Sequence, residues 1–279
     1  MKETVQNNIR KKNSLRLRIF FILAAALVVI AILAPFFAPH SPNATSAMSM
    51  NAAPCAEFPF GCDSLGRCIL SRVLAGARTS VLSAVALVAI TFFADTFAGM
   101  AAGWYGGILD TVIMRIADVL LAFPQMVLAI AVAGILGGGM GNAMLALGIT
   151  GWTLYARLAR TQVLALKEEP FVSHARLCGF SGFSILFKTL LPNMAGPLIV
   201  SAATQLGTMM VGIAGLSFLG IGVTEPQAEW GSMISFSRAY IQLAPWAVMA
   251  PALAIIITVM IFNCLGDSLR DYLDVEAKQ

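Results

Sequence analysis

The chain has 279 residues, of which 58% are hydrophobic and only 11% charged, and its mean hydropathy is +0.83. Soluble domains carry about 25% charged residues, so a soluble globular protein is excluded. The net charge of +4 matters less than where the charges lie.

An apolar segment needs roughly 20 residues to cross the hydrocarbon core of a bilayer, and six such segments fit along the chain. A cytoplasmic tail, 1–18, carries Arg10, Lys11, Lys12, Arg16 and Arg18 ahead of the apolar run Ile19–Phe37. That run is longer than the roughly 7–15 residues of a signal-peptide core, and more spans follow, so it is read as a retained first span over 19–38. A polar loop, 39–79, comes next. Its final stretch, GCDSLGRCILSRVLAGARTS at 61–80, is expected as an amphipathic helical lead-in too charged to span. The loop holds Cys55, Cys62 and Cys68. One disulfide with a free thiol left over, or plain apolar filling, explains them better than a metal, because C-x6-C-x5-C is not a zinc spacing and His40 is the only histidine near.

The core expected at 80–266 contains spans over 80–102, 119–139, 142–162, 194–222 and 246–266. Asp95 lies inside the second span, within ITFFADTFAGM. An intramembrane carboxyl is costly and is a functional candidate by default; the alternatives are a place on a translocation path and a structural hydrogen bond. Asp118, with Arg115 one turn earlier, reads as an interface anchor. Small-xxx-small pairs (Gly99 with Gly103, Gly103 with Gly107, Gly134 with Gly138) read as close helix packing, and Gly137–Gly141 as the turn between the third and fourth spans. The fifth span is glycine-rich and long enough to bend. A short tail, 267–279, ends the chain, and disorder is expected only in the first dozen residues and the last few.

Lysine and arginine set the orientation. With the N-terminus inside, 14 of the 18 fall in inward segments, from Lys2 to Lys278, and only Arg67, Arg72, Arg78 and Arg238 face outward. Both termini and the loop 163–193 are therefore expected in the cytoplasm, with 39–79 and 223–245 outside.

Enzymatic chemistry has no support. No G-x-x-x-x-G-K-[ST] phosphate cradle and no H-E-x-x-H occurs, and the two histidines, His40 and His174, fall on opposite sides of the membrane. What remains is the long inward loop, KEEPFVSHARLCGFSGFSILFKTLLP at 167–192. Most helix–helix connections are far shorter. Val172, Ala175 and Arg176 share one helical face, Gly179 interrupts, and Phe180, Phe183 and Phe187 form a second face. Such an apolar face needs a cover, either the ends of the chain's own spans or a partner's groove.

The same loop resembles the cytoplasmic motif of the membrane subunits of binding-protein-dependent ABC importers: E-A-A, three residues, G, nine residues, I-x-L-P. Ser173, His174 and Ala175 occupy the triplet, Gly179 the glycine, and Thr189, Leu190, Leu191 and Pro192 the close, with Ser173 in place of glutamate, His174 in place of alanine and Thr189 in place of isoleucine. The segment at 61–80 looks like the G-T-D-x-L-G-R-D block of the dipeptide/oligopeptide/nickel permeases, with Cys62 and Cys68 where that block has threonine and aspartate. GWYGGILDTVIMRIADVLLAFP (103–124), GLSFLGIGV (215–223), AEWGSMI (228–234) and FNCLGDSLRDYLD (262–274) are similar to that family as well.

The resemblance implies an all-α membrane protein of six transmembrane helices with the type I importer permease fold. It would form half of an ATP-driven pore for peptides or nickel. Its partners would be a homologous second permease, two cytoplasmic ABC ATPases, an extracytoplasmic solute-binding protein and membrane lipid, without nucleic acid. The chain itself would hold no cofactor and no metal, with ATP and Mg bound by the ATPases. Coupling to the ATPase would fall on Ser173, His174, Ala175, Arg176, Gly179, Leu191 and Pro192, and Glu229, Trp230 and Arg238 would face the binding protein. The contrasting reading is a self-sufficient carrier or channel that uses Asp95.

Overall fold

The computed structural model describes residues 2–276, and every regular element among them is helical. Lys278 and the disorder expected for the last few residues lie outside that range. The helices are α1 (Lys2–Leu33), α2 (Ile69–Tyr105), α3 (Gly107–Leu121), α4 (Gln125–Leu136), α5 (Met140–Gly151), α6 (Thr153–Leu166), α7 (Pro170–Leu177), α8 (Gly182–Ile185), α9 (Leu191–Phe218), α10 (Trp230–Ser237) and α11 (Trp246–Glu276).

Helix–helix contacts define two ends of the bundle. At one end, Arg16 lies 4.0 Å from Asp271, Gly196 faces Leu273, and Gly182 faces Trp104. This elbow end gathers both terminal helices and the loop after α6. At the opposite end, the Gly139 amide donates to the Ile221 and Gly222 carbonyls, and the Trp246 indole donates to the Cys62 carbonyl at 3.1 Å. The terminal helices α1 and α11 thus share an end with residues 167–190.

Four helical stretches are each long and apolar enough to cross a membrane: 12–33, 69–105, 182–218 and 246–273. The bent α3–α4 pair makes a fifth. The fourth expected span, 142–162, is divided between α5 and α6, each short alone, meeting at Trp152.

Three expected boundaries are corrected. The lead-in at 61–80 is not a separate helix: from Ile69 it is the first part of α2, because the guanidinium of Arg72 is satisfied internally and need not reach water. The third span, drawn straight over 119–139, is broken at 122–124 with a 96° bend; Pro124 lacks an amide donor and disfavours helix in the residue before it. The fifth span stops at Phe218 rather than 222, where Gly220 turns the chain at φ +81°.

The largest core cluster joins α2, α4, α5, α9 and α10 around Leu87, Leu147, Met209, Met210, Ile213 and Trp230. Many leucine, isoleucine and valine side chains point outward instead, such as Ile90, Val127, Ile149 and Ile257. That inversion is expected where the solvent is lipid, since apolar side chains gain nothing by leaving it. Small residues set the closest approach: a Cβ on Gly99 would lie 2.1 Å from the Ala156 carbonyl oxygen on α6. Gly103 meets α6 in the same way at Arg160 and Val163, whereas Gly107 opens α3 and, like Gly134, faces open space.

Candidate functional site

At the elbow end, α6 stops at Leu166, and Pro170 opens α7 where its missing amide costs no hydrogen bond. The helix buries Val172 in a cluster with Met100, Ile185, Leu190 and Met194, and Ala175 packs against the same cluster. Arg176 stacks over the Trp104 ring at 5.1 Å, a cation–π contact that ties α7 to the last turn of α2. Gly179 follows at φ +80°, the left-handed conformation that glycine adopts without strain. A pentapeptide of wider helical turn, 186–190, then leads into α9, with Leu191 half-buried and Pro192 exposed in its first turn.

The elbow presents a defined outer face. Ser173, His174 and Arg176 are exposed, and so are Leu177, Phe180 and Phe183, while Phe187 turns inward against Phe97. Leu177 is 85% and Phe183 67% exposed. The Phe183 ring lies 4.4 Å from that of Phe187, while Leu177 shares α7 with the exposed His174 and Arg176. The residues assigned to coupling are therefore brought together on one short helix and its glycine, except Leu191 and Pro192, which start the following span.

Asp118 does not pair with Arg115. Its carboxylate receives a hydrogen bond from Arg157 on α6, and Asp110 forms a two-pronged ion pair with Arg160, one prong at 2.6 Å. These two bonds fasten α3 to α6, and they were missed because a partner about 40 or 50 positions away leaves no local spacing to read.

Asp95 is buried on α2, facing α6. Asp95 Oδ2, Thr96 Oγ1 and the Tyr155 hydroxyl, all buried, have no hydrogen-bond partner. The residue does not line the cavity of about 350 Å³ bounded by Gln125, Leu147, Thr208, Gly212 and Asn263.

The opposite end carries a polar network that sequence reading passed over. Asp63 Oδ1 accepts from the amides of Leu65 at 2.9 Å and Arg67 at 3.0 Å, closing a tight turn, and Oδ2 accepts from Arg67 Nε at 2.6 Å. The other face of that guanidinium binds Glu225, which also holds Arg72 through both oxygens at 3.1 Å. Burial alone would lower the Arg67 pKa, but the bonds from Glu225 and Asp63 outweigh it and move it up. A loop before α2 and the loop after α9 are joined by this cluster. The arginines at 67 and 72, spaced in the block at 61–80, were the available signal.

The outward assignment of Glu229 and Trp230 is corrected. Glu229 is fully buried: its carboxylate accepts from the Gly231 and Ser232 amides at the start of α10 and from the Ser80 hydroxyl at 3.1 Å. A carboxylate in that position satisfies the open amides of a helix N-terminus. Trp230 is buried as well, with its indole donating to the Val73 carbonyl. Both hold α10 against α2 and offer nothing to a partner. Arg238 alone of the three is exposed, over the Phe218 ring.

Residues 95–278 match the family of binding-protein-dependent transport system inner membrane components, and residues 11–54 match the N-terminal TM domain of oligopeptide transport permease C. The chain is 40% identical to the dipeptide transport system permease protein DppC of Alkalihalophilus pseudofirmus, over 96% of this chain and 88% of that protein. It is 42% identical to the glutathione transport system permease protein GsiD of Escherichia coli and of Shigella sonnei, with the same coverage.

Proposed function

Since the chain belongs to the family of binding-protein-dependent transport system inner membrane components, an ABC importer permease of the peptide family in the inner membrane, we propose that it forms half of a pore whose motor is a separate ATPase engaged by the elbow at 170–192. The partners of such permeases are ATPases and a solute-binding protein. The single observation that supports the coupling assignment is the elbow itself: three large apolar side chains, Leu177, Phe180 and Phe183, exposed on a segment fixed from behind by Val172 and the Arg176–Trp104 contact. An amphipathic helix of this kind fits a partner's groove. A rigid backing lets motion of that partner pass to α2 and α9 instead of being lost in a flexible loop.

The second permease would be a homologous chain, with two ATPases below. The solute in this reading is a short peptide or a peptide-like molecule, after the dipeptide and glutathione systems of the relatives. Nickel remains the competing cargo on the motif resemblance alone. Uptake of labelled dipeptide, glutathione and nickel in cells expressing the full set of subunits decides among them.

Replacing Leu177 and Phe183 by aspartate tests the coupling. The expected outcome is loss of the ATPase on co-purification while the chain still inserts in the membrane and still binds its companion permease. Undiminished recovery of the ATPase with the doubly substituted chain refutes the assignment.

A further inference from the structure

We propose that Cys62 and Cys68 are joined in a disulfide that staples the Asp63–Arg67 turn under the Arg67–Glu225–Arg72 network, with Cys55 left as the free thiol. The proposal rests on the outward orientation of residues 39–79.

The backbone makes the case. The Ile69 amide donates to the Gly61 carbonyl at 3.1 Å and the Asp63 amide to the Arg67 carbonyl at 3.1 Å, and Cys62 and Cys68 face each other between these two bonds. They are thus the non-hydrogen-bonded pair of an antiparallel bridge, in which Cα atoms sit about 4.5 Å apart and side chains are closest. A disulfide takes Cα separations of about 4.4–6.8 Å, so the bond forms here without backbone movement. Cys55 lines the same outward cavity as Cys68 but is not part of the bridge: it is exposed and its sulfur accepts from the Phe58 amide at 3.4 Å. Both thiols of the facing pair are free in this structure and both are buried.

A route for oxidation exists. Cys68 lines an outward cavity of about 500 Å³ together with His40, Ser46, Phe58 and Gly66, whereas Cys62 is fully enclosed behind it. Extracytoplasmic compartments keep disulfides oxidised. The oxidant is a donor disulfide of that compartment. The Cys68 thiolate attacks one donor sulfur, forming a mixed disulfide and releasing one donor thiolate. The Cys62 thiolate then attacks the Cys68 sulfur and releases the second. Two cysteine thiols are oxidised to one disulfide, the donor disulfide is reduced to two thiols, and the two protons end on the donor. Burial, and after it the neighbouring Cys68, push the Cys62 thiol up to about 11, so the second step quickens as pH rises.

The staple has a definite target. Between the two cysteines lie Asp63 and Arg67, the residues that carry the network to Glu225 on the loop after α9. Closing residues 62–68 into a ring restricts the turn in the unfolded chain as well as in the folded one.

The test is differential labelling of the full chain in cells. Thiols are trapped in acid, the protein is denatured and alkylated with N-ethylmaleimide, then reduced and alkylated with an isotopically heavy maleimide. Trypsin cuts after Arg67 and chymotrypsin after Phe60, which separates all three cysteines. The expected result is heavy label on Cys62 and Cys68 and light label on Cys55. With reduction omitted, one linked pair of peptides should appear, and Cys68→Ser should transfer Cys62 to the light label. Light label on both Cys62 and Cys68, or a link to Cys55, overturns the disulfide. A membrane-impermeant maleimide on intact cells separates the two ways of failing. Reaction at Cys55 and not at Cys178 keeps the orientation, so a missing disulfide then refutes the staple alone. Reaction at Cys178 and not at Cys55 overturns the orientation and the staple with it.

Discussion

Arg67 shows how much one side chain can decide when it is shut away from water. It is nine-tenths buried, its Nε is held by Asp63, and its terminal nitrogens reach Glu225. Removing one member of a buried ion pair leaves the other charge uncompensated, at a cost of about 3–5 kcal/mol. Arg67→Ala should therefore lower the melting temperature of the purified permease by several degrees, because buried Asp63 loses its partner at 2.6 Å and keeps only Arg72 at 3.9 Å. The double change Arg67→Met with Asp63→Asn should recover most of that loss, since it removes both charges together and leaves an amide oxygen to accept from the Leu65 and Arg67 amides. A single substitution that melts like the unaltered protein would mean that water reaches the site and that the network contributes little.

Between helices, the governing term is distance of approach. The seam of α2 and α6 is built on Gly99, where a methyl group would collide with the backbone oxygen of Ala156 at 2.1 Å. A backbone atom cannot swing aside as a side chain can, so Gly99→Ala must push the helices apart, at an overpacking cost of about 1–3 kcal/mol. Gly134 has the same small-xxx-small spacing but nothing near it, and an alanine there should be neutral or stabilise by about 0.5–1 kcal/mol through lower chain entropy. Thermal unfolding of the two variants in the same detergent separates them. Equal melting temperatures would show that the glycine seam tolerates separation. The arginine–aspartate bonds from α3 to α6 complete this seam at the elbow end.

At the scale of the whole molecule the issue is where the driving force enters. Asp95 stands between α2 and α6, next to Tyr155 and Thr96, and the cavity at Gln125 and Asn263 is walled by other residues. An importer driven from outside its own chain does not need that carboxyl as a relay. With its partners present, Asp95→Asn should keep ATP-dependent uptake in proteoliposomes, and the chain alone should transport nothing. Uptake by the isolated chain, abolished by Asp95→Asn, would reverse the reading and make the protein a carrier.

By itself the sequence determined that the chain is a multi-pass membrane protein of the importer permease family, and it marked the loop at 167–192 as longer than a plain helix connection. Apolar run length, charge asymmetry and motif spacing are local quantities, and lipid enforces them one segment at a time. Even the glycine of the elbow was legible, because a left-handed turn at Gly179 restricts residue choice at that very position. Tertiary structure alone decided which charges meet. Arg67 and Arg72 find Glu225 across more than 150 positions, Asp118 takes Arg157 rather than the nearer Arg115, and Glu229 turns inward to cap α10. The reason is physical: a buried charge pairs with whatever the packing brings within about 4 Å, and packing is a property of the folded bundle, which no spacing along the chain encodes.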